Sequence, residues 1–151
     1  MFFLCLMFSA IAPYPMDAHR MNTCIDVAYE ADAQGVPETL AISLAYVESR
    51  FNKHAVSRAG AIGPMQILPQ YTCAKISKNE ACDLILEGVF LLRVWARRAW
   101  KRHGRRHVTD RHALAMYHGG NNPRERSYRY ADKILGLQSK IKKEIKRWRL
   151  E

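Results

Sequence analysis

The chain has 151 residues, 48% of them hydrophobic and 25% charged, which suits one globular domain with its own core. Lysine and arginine number 24 against 14 aspartates and glutamates, and the formal charge of +10 favours polyanionic partners. Repeats and low-complexity tracts are absent and no nucleic-acid motif accompanies the charge, so no nucleic-acid partner is expected.

Met1 to Ala12 form an apolar run, MFFLCLMFSAIA, too short to span a bilayer comfortably. It reads as the core of a secretory signal, with Ala10-x-Ala12 as a small-residue cleavage pattern. No positive charge precedes it, Pro13 would follow the cut, and Met16 offers a second start. Residues 1–20 are therefore expected to be a leader, and the protein to be exported to the periplasm, cell envelope, virion or medium. Asn22 to Ala33 predict a first helix, with Cys24, Val27, Ala28 and Ala31 on one side and Gly35 as its stop.

Pro37 fits a first helical position, and Glu38 puts a negative charge in the first turn. Leu40, Leu44, Val47 and Phe51 then recur at helical spacing as a core stripe. Ala41, Ala45 and Glu48 form a neighbouring stripe, where two small side chains leave room beside a carboxylate for a ligand or a packed helix. From the helix alone, Glu48 reads as a solvated surface residue. The segment after it changes that reading. Ser57, Gly60, Gly63 and Met65-Gln66 make a turn-rich return in which glycine allows close backbone approach and glutamine offers both donor and acceptor. A carboxylate at a helix end facing such a loop is a candidate acid–base site.

Cys73 and Cys82 bracket a polar loop, CAKISKNEAC, and a disulfide between them is expected outside the cytoplasm. Cys24 could instead pair with either of them, or all three could be buried thiols. Asp83 can cap a helix reaching about His103. Its apolar face is Ile85, Gly88, Val89, Leu92, Trp95, Ala96 and Ala99, and Arg93, Arg97, Arg98 and Lys101 lie opposite. Trp95 reads as core. The stretch KRHGRRHVTDR is strongly basic. His103, His107, His112 and His118 show no ligand spacing, so no metal or cofactor is expected. Thr109 or Asp110 can cap the next helix, which carries Ala113 to Tyr117 and ends at His118-Gly119-Gly120. The tail, residues 137–151, is a basic amphipathic helix suited to docking on the domain or to an anionic wall or membrane surface.

Glu48-Ser49-x-Phe51, Ala55-Val56-Ser57 and Gly60-Ala61-x-Gly63-Pro64-Met65-Gln66-Ile67-x-Pro69, taken in order, resemble the lytic transglycosylase (SLT) domain of peptidoglycan-cleaving enzymes. Ala113-Leu114-Ala115-Met116-Tyr117-His118-Gly119 resembles the family's second signature, with His118 in place of the usual asparagine. Tyr130 matches the tyrosine of the family's next motif, Glu-Thr-x-x-Tyr-Val, while Glu125 lies one residue too far upstream of that pattern. The resemblance implies an all-α, lysozyme-like single domain at about residues 21–136. It implies Glu48 as the catalytic group, with Ser57, Met65, Gln66, Tyr117 and His118 contacting substrate. It implies peptidoglycan glycan strands as partner and a monomer. The expected reaction is cleavage between N-acetylmuramic acid and N-acetylglucosamine with formation of a 1,6-anhydro ring. A lysozyme-type hydrolase on the same fold and a non-catalytic wall- or polyanion-binding protein are the alternatives.

Overall fold

The computed structural model describes residues 1–72, 82–104 and 106–148, the side chains of Arg106 and His107 excepted. The order of elements is α1 (Phe2–Ile11), α2 (Ala18–Ala33), α3 (Glu38–Ser49), a short 3-10 turn (Pro69–Tyr71), α4 (Leu84–His103), α5 (Arg106–Gly119) and α6 (Glu125–Trp148). Among the described residues there is no strand; two isolated bridges, Val56 with Ile62 and Ile62 with Ile67, fold the segment after α3 back on itself. The protein is all-α and lysozyme-like. Among the described residues no helix is long and apolar enough to cross a membrane.

α3 is the centre. Its Leu40, Ala41, Ile42, Leu44 and Ala45 are fully or almost fully buried, and it packs against α2 on one side and α6 on the other. The predicted helices are present with adjusted ends. α2 begins four residues earlier than expected, because Asp17 caps it by accepting the Arg20 N–H at 2.9 Å. Asp83 caps α4 through the N–H groups of Ile85 and Leu86, at 2.9 and 3.1 Å, and Gly104 closes it in the left-handed region at φ 63°.

Three expectations are corrected. The helix expected to start at Thr109 or Asp110 already runs from Arg106, and Thr109 is buried inside it. No break falls at residues 136–137, since α6 continues through Gly136, and Gln138 and Ile141 are buried in the same helix. Cys24 pairs with neither Cys73 nor Cys82; it forms a disulfide with Cys5. The expected Cys73–Cys82 pairing rests on Cys73, which lies outside the described residues.

The apolar run at the N-terminus is α1, and it is packed onto the domain. Phe8 is fully buried, edge-on to Tyr46 and Phe51 with ring centres 5.0 and 5.6 Å away. Such offset aromatic pairs add to the ordinary gain from burial. With Cys5 joined to Cys24, this places residues expected as a leader in contact with the helix that carries Glu48.

Candidate active site

Glu48 sits in the last turn of α3, and the backbone just beyond it is unusual. Arg50 and Phe51 both occupy the left-handed region, at φ 54° and 61°. Such conformations cost about 1–3 kcal/mol each in non-glycine residues and persist where packing dictates them. Here the buried Phe51 ring, held by Phe8 and Tyr46, supplies that packing. The chain therefore turns sharply after Glu48 and brings residues 55–67 back beside it.

That return is a self-bonded loop. The Gly63 N–H donates to the Ala55 carbonyl at 2.9 Å, and Ser57 and Ala61 bond through their backbones. Ser57 Oγ accepts the Ala61 N–H at 3.0 Å. Gln66 Nε2 donates to the carbonyls of Ala55 and Gly63, at 3.2 and 2.9 Å. Ser49 Oγ donates to the Pro64 carbonyl at 2.8 Å and ties the loop to α3. Across the loop, α4 comes close at Gly88, where a Cβ would stand 2.7 Å from Met65.

The loop, α4, α5 and the start of α6 enclose a cleft of about 880 Å³ whose lining includes Glu48, Ser57, Gln66, Tyr117 and His118. Ile67, Leu68, Tyr71, Trp95, Arg98, Asn121 and Arg126 complete much of its wall. A smaller cavity of about 400 Å³ at the N-terminus of α2, lined by His19, Arg20, Lys53 and His54 among others, does not include Glu48.

Within the cleft, Tyr130 Oη donates to Glu48 Oε1. Burial raises the Glu48 carboxyl from 4.5 to about 7, against the opposing effects of the Tyr130 hydrogen bond and the Lys133 charge. Burial, with the nearby Glu48, likewise pushes the hydroxyls of Tyr117 and Tyr130 well above the usual tyrosine range, so both stay protonated. Tyr117 Oη donates to the Met65 carbonyl at 2.8 Å and links α5 to the loop. The His118 ring stacks on Tyr130 at 4.6 Å, and its Nδ1 lies 3.1 Å from Ser127 Oγ. Burial first, and then the Arg126 charge, lower its pKa and favour the neutral ring.

Of the residues expected at the site, Glu48, Ser57, Gln66, Tyr117 and His118 come together in this cleft. Met65 does not: its side chain is fully buried against Gly88, and its contribution is the carbonyl that receives Tyr117. Sequence reasoning passed over Tyr130 as a site residue, although its match to the family's tyrosine was the available signal. Trp95, read as core, belongs to both settings. It packs beside Ala99, Ala113 and Met116 and also lines the cleft, with the Arg98 guanidinium 4.9 Å from its ring centre. Arg98 and Arg102 also bond Asn121, at 3.3 and 3.2 Å, and fix the α5–α6 turn at the cleft's edge. Among the described residues no three potential ligands cluster as a metal site.

The cleft of this all-α fold thus holds one carboxyl among its described lining residues, with its pKa raised by burial to about 7. Residues 26–83 match the family model of the transglycosylase SLT domain, which bears out the resemblance over α2, α3 and the returning loop. That family implies transglycosylase-type action on the glycosidic bonds of peptidoglycan, outside the cytoplasm. No curated protein matches the chain.

Proposed function

We propose that the protein is a lytic transglycosylase that cuts peptidoglycan strands between N-acetylmuramic acid and N-acetylglucosamine, with Glu48 serving first as acid and then as base. The observation that carries this reading is that Glu48 is the only carboxylate among the described residues lining the cleft, and that its pKa is raised to about 7. Hydrolysis by the common route employs two carboxyl groups. A single carboxyl suffices when the sugar supplies its own nucleophile.

In the first step the protonated Glu48 gives its proton to the glycosidic oxygen, and the bond from that oxygen to C1 of muramic acid breaks. The Tyr130 hydroxyl, bonded to Oε1, fixes the carboxyl's orientation and leaves Oε2 to carry the transferred proton. In the second step the carboxylate takes the proton of the muramic acid 6-hydroxyl as that oxygen closes on C1. A 1,6-anhydro ring forms, no water is consumed, and Glu48 returns to its acid form. The ring must hold O6 near C1, and we assign to Ser57, Gln66 and His118, which line the cleft, the role of fixing it through its acetamido and hydroxyl groups. Since Gln66 Nε2 is committed to the loop, Oε1 is the atom it can offer to a donor on the sugar.

The test is the mass of the muropeptides released from purified peptidoglycan. Products ending in 1,6-anhydromuramic acid, one water lighter than hydrolysis products, are expected. Reducing ends would instead establish the lysozyme-type reaction, and no release by the wild-type protein would leave a wall-binding protein.

A further inference from the structure

α1 is apolar on every side, but the domain covers only part of it. Cys5, Met7 and Phe8 turn inward, while Phe2, Phe3 and Leu6 are 61, 56 and 49% exposed. Trp148, at the end of α6, is 53% exposed and stands edge-on to Phe3 with ring centres 6.2 Å apart. Between the two helices runs an apolar groove of about 270 Å³, formed by Met1, Phe3, Leu4, Met7, Ile145 and Trp148 with Glu38 beside them. Lys140, Lys142, Lys143 and Lys146 are exposed on the same final turns of α6. Large contiguous apolar surface is uncommon on a protein that meets only water.

We propose that this face docks on an anionic lipid bilayer, with α1 lying in the plane of the interface. A ten-residue helix is about 15 Å long, half the hydrocarbon thickness, and so lies on a bilayer instead of crossing it. Its outward phenylalanines and Leu6 enter the boundary of the acyl chains. Trp148, with an apolar ring and a polar N–H, suits the headgroup level. The lysines meet the anionic headgroups, and their long stems let the ammonium groups reach upward from the apolar edge. A glycan or wall polymer would satisfy the lysines but offers nothing apolar to cover Phe2, Phe3 and Leu6. The Cys5–Cys24 disulfide makes α1 a fixed foot of the domain, so the cleft would be held at a set height above the membrane. Docking is independent of the chemistry at Glu48.

The experiment is co-sedimentation of the full-length, disulfide-bonded protein with vesicles of phosphatidylglycerol and phosphatidylcholine, against vesicles of phosphatidylcholine alone. Binding to the anionic vesicles is expected, weakened by salt, and retained in Glu48→Gln. Replacing Phe2, Phe3 and Leu6 together by serine should lower vesicle affinity by about tenfold or more, leaving digestion of isolated peptidoglycan unchanged. Lys142→Glu with Lys146→Glu should remove the preference for anionic vesicles without touching the core. Brominated lipid should quench tryptophan fluorescence in the wild type and much less in Trp148→Phe. Equal binding by the serine variant would overturn the proposal, as would binding only to soluble anionic polymer. So would a lipid-independent dimer that the serine variant abolishes, or an exported protein whose mass shows α1 removed.

Discussion

The raised pKa of Glu48 makes a prediction about stability that needs no substrate. A carboxyl with a pKa of 4.5 in the unfolded chain and about 7 in the folded one binds a proton more tightly when folded. Between those two values the native state holds more protons than the unfolded state, so stability falls as pH rises, and above about 7 the loss is complete. A shift of that size corresponds to about 3 kcal/mol, and exposure of the cleft to solvent makes this an upper figure. Glu48→Gln keeps the shape and a carbonyl oxygen for Tyr130, but carries no titrating proton. The variant is therefore expected to be more stable than the wild type by about 2–3 kcal/mol at pH 8.5, with the difference vanishing below pH 4.5. Urea denaturation of both proteins across that range measures it directly. A difference that does not vary with pH would show that the carboxyl titrates normally, and the argument for a built-in acid would fail. The same substitution should lower kcat by about 10²–10⁴-fold or more if Glu48 transfers the proton.

Three further outcomes follow from the same geometry. Tyr130→Phe removes a hydrogen bond that favours the charged form of Glu48, so the high-pH fall of the rate profile should move upward while kcat drops as the carboxyl loses its orientation; a limb that stays in place would detach Tyr130 from Glu48. The Cys5–Cys24 link closes a sequence separation of 19, worth about 3 kcal/mol by loop-closure entropy, so Cys5→Ser with Cys24→Ser should lower the denaturation midpoint, and an unchanged midpoint would mean α1 is held by packing alone. Gly88→Ala should destabilise by about 1–3 kcal/mol, measured by the same denaturation, because its Cβ would meet the Met65 Cβ and Sδ at 2.7 Å.

How far the fold could be read from the sequence depended on whether its signals were local. α4 was legible at both ends because Asp83 and Gly104 act on their immediate neighbours through caps. α3 was legible because its core stripe repeats every turn. α1 was not, since a ten-residue run without a polar face carries the same pattern as a secretion signal and as a helix half covered by protein. The contact of Phe8 with Tyr46 and Phe51 and the bond from Cys5 to Cys24 join α1 to the domain, and neither is a property of the run itself. The start of α5 was misplaced because Thr109 has a capping side chain in a position where the helix is already formed. The basic tail reads as a helix of its own, yet α6 runs through it unbroken, and buried Gln138, whose Nε2 reaches Thr39 Oγ1 at 3.2 Å, ties it to α3.

The cleft divides along similar lines. The returning loop was readable because its glycines and Gln66 bond within a dozen residues of one another. The state of Glu48 has no local signal of that kind. Its neighbours along the chain, Val47 and Ser49, do not dictate whether it is a surface charge or a buried acid. The loop after α3 and the tyrosines of α5 and α6 largely bury it, and the hydrogen bond it receives among the described residues comes from Tyr130, 82 residues away. The same α6 is clamped to α3 again at Gln138 and Thr39. The carboxyl's proton is thus held by the way three helices meet, and a change that loosens α6 from α3 acts on the acid without touching the residue that carries it.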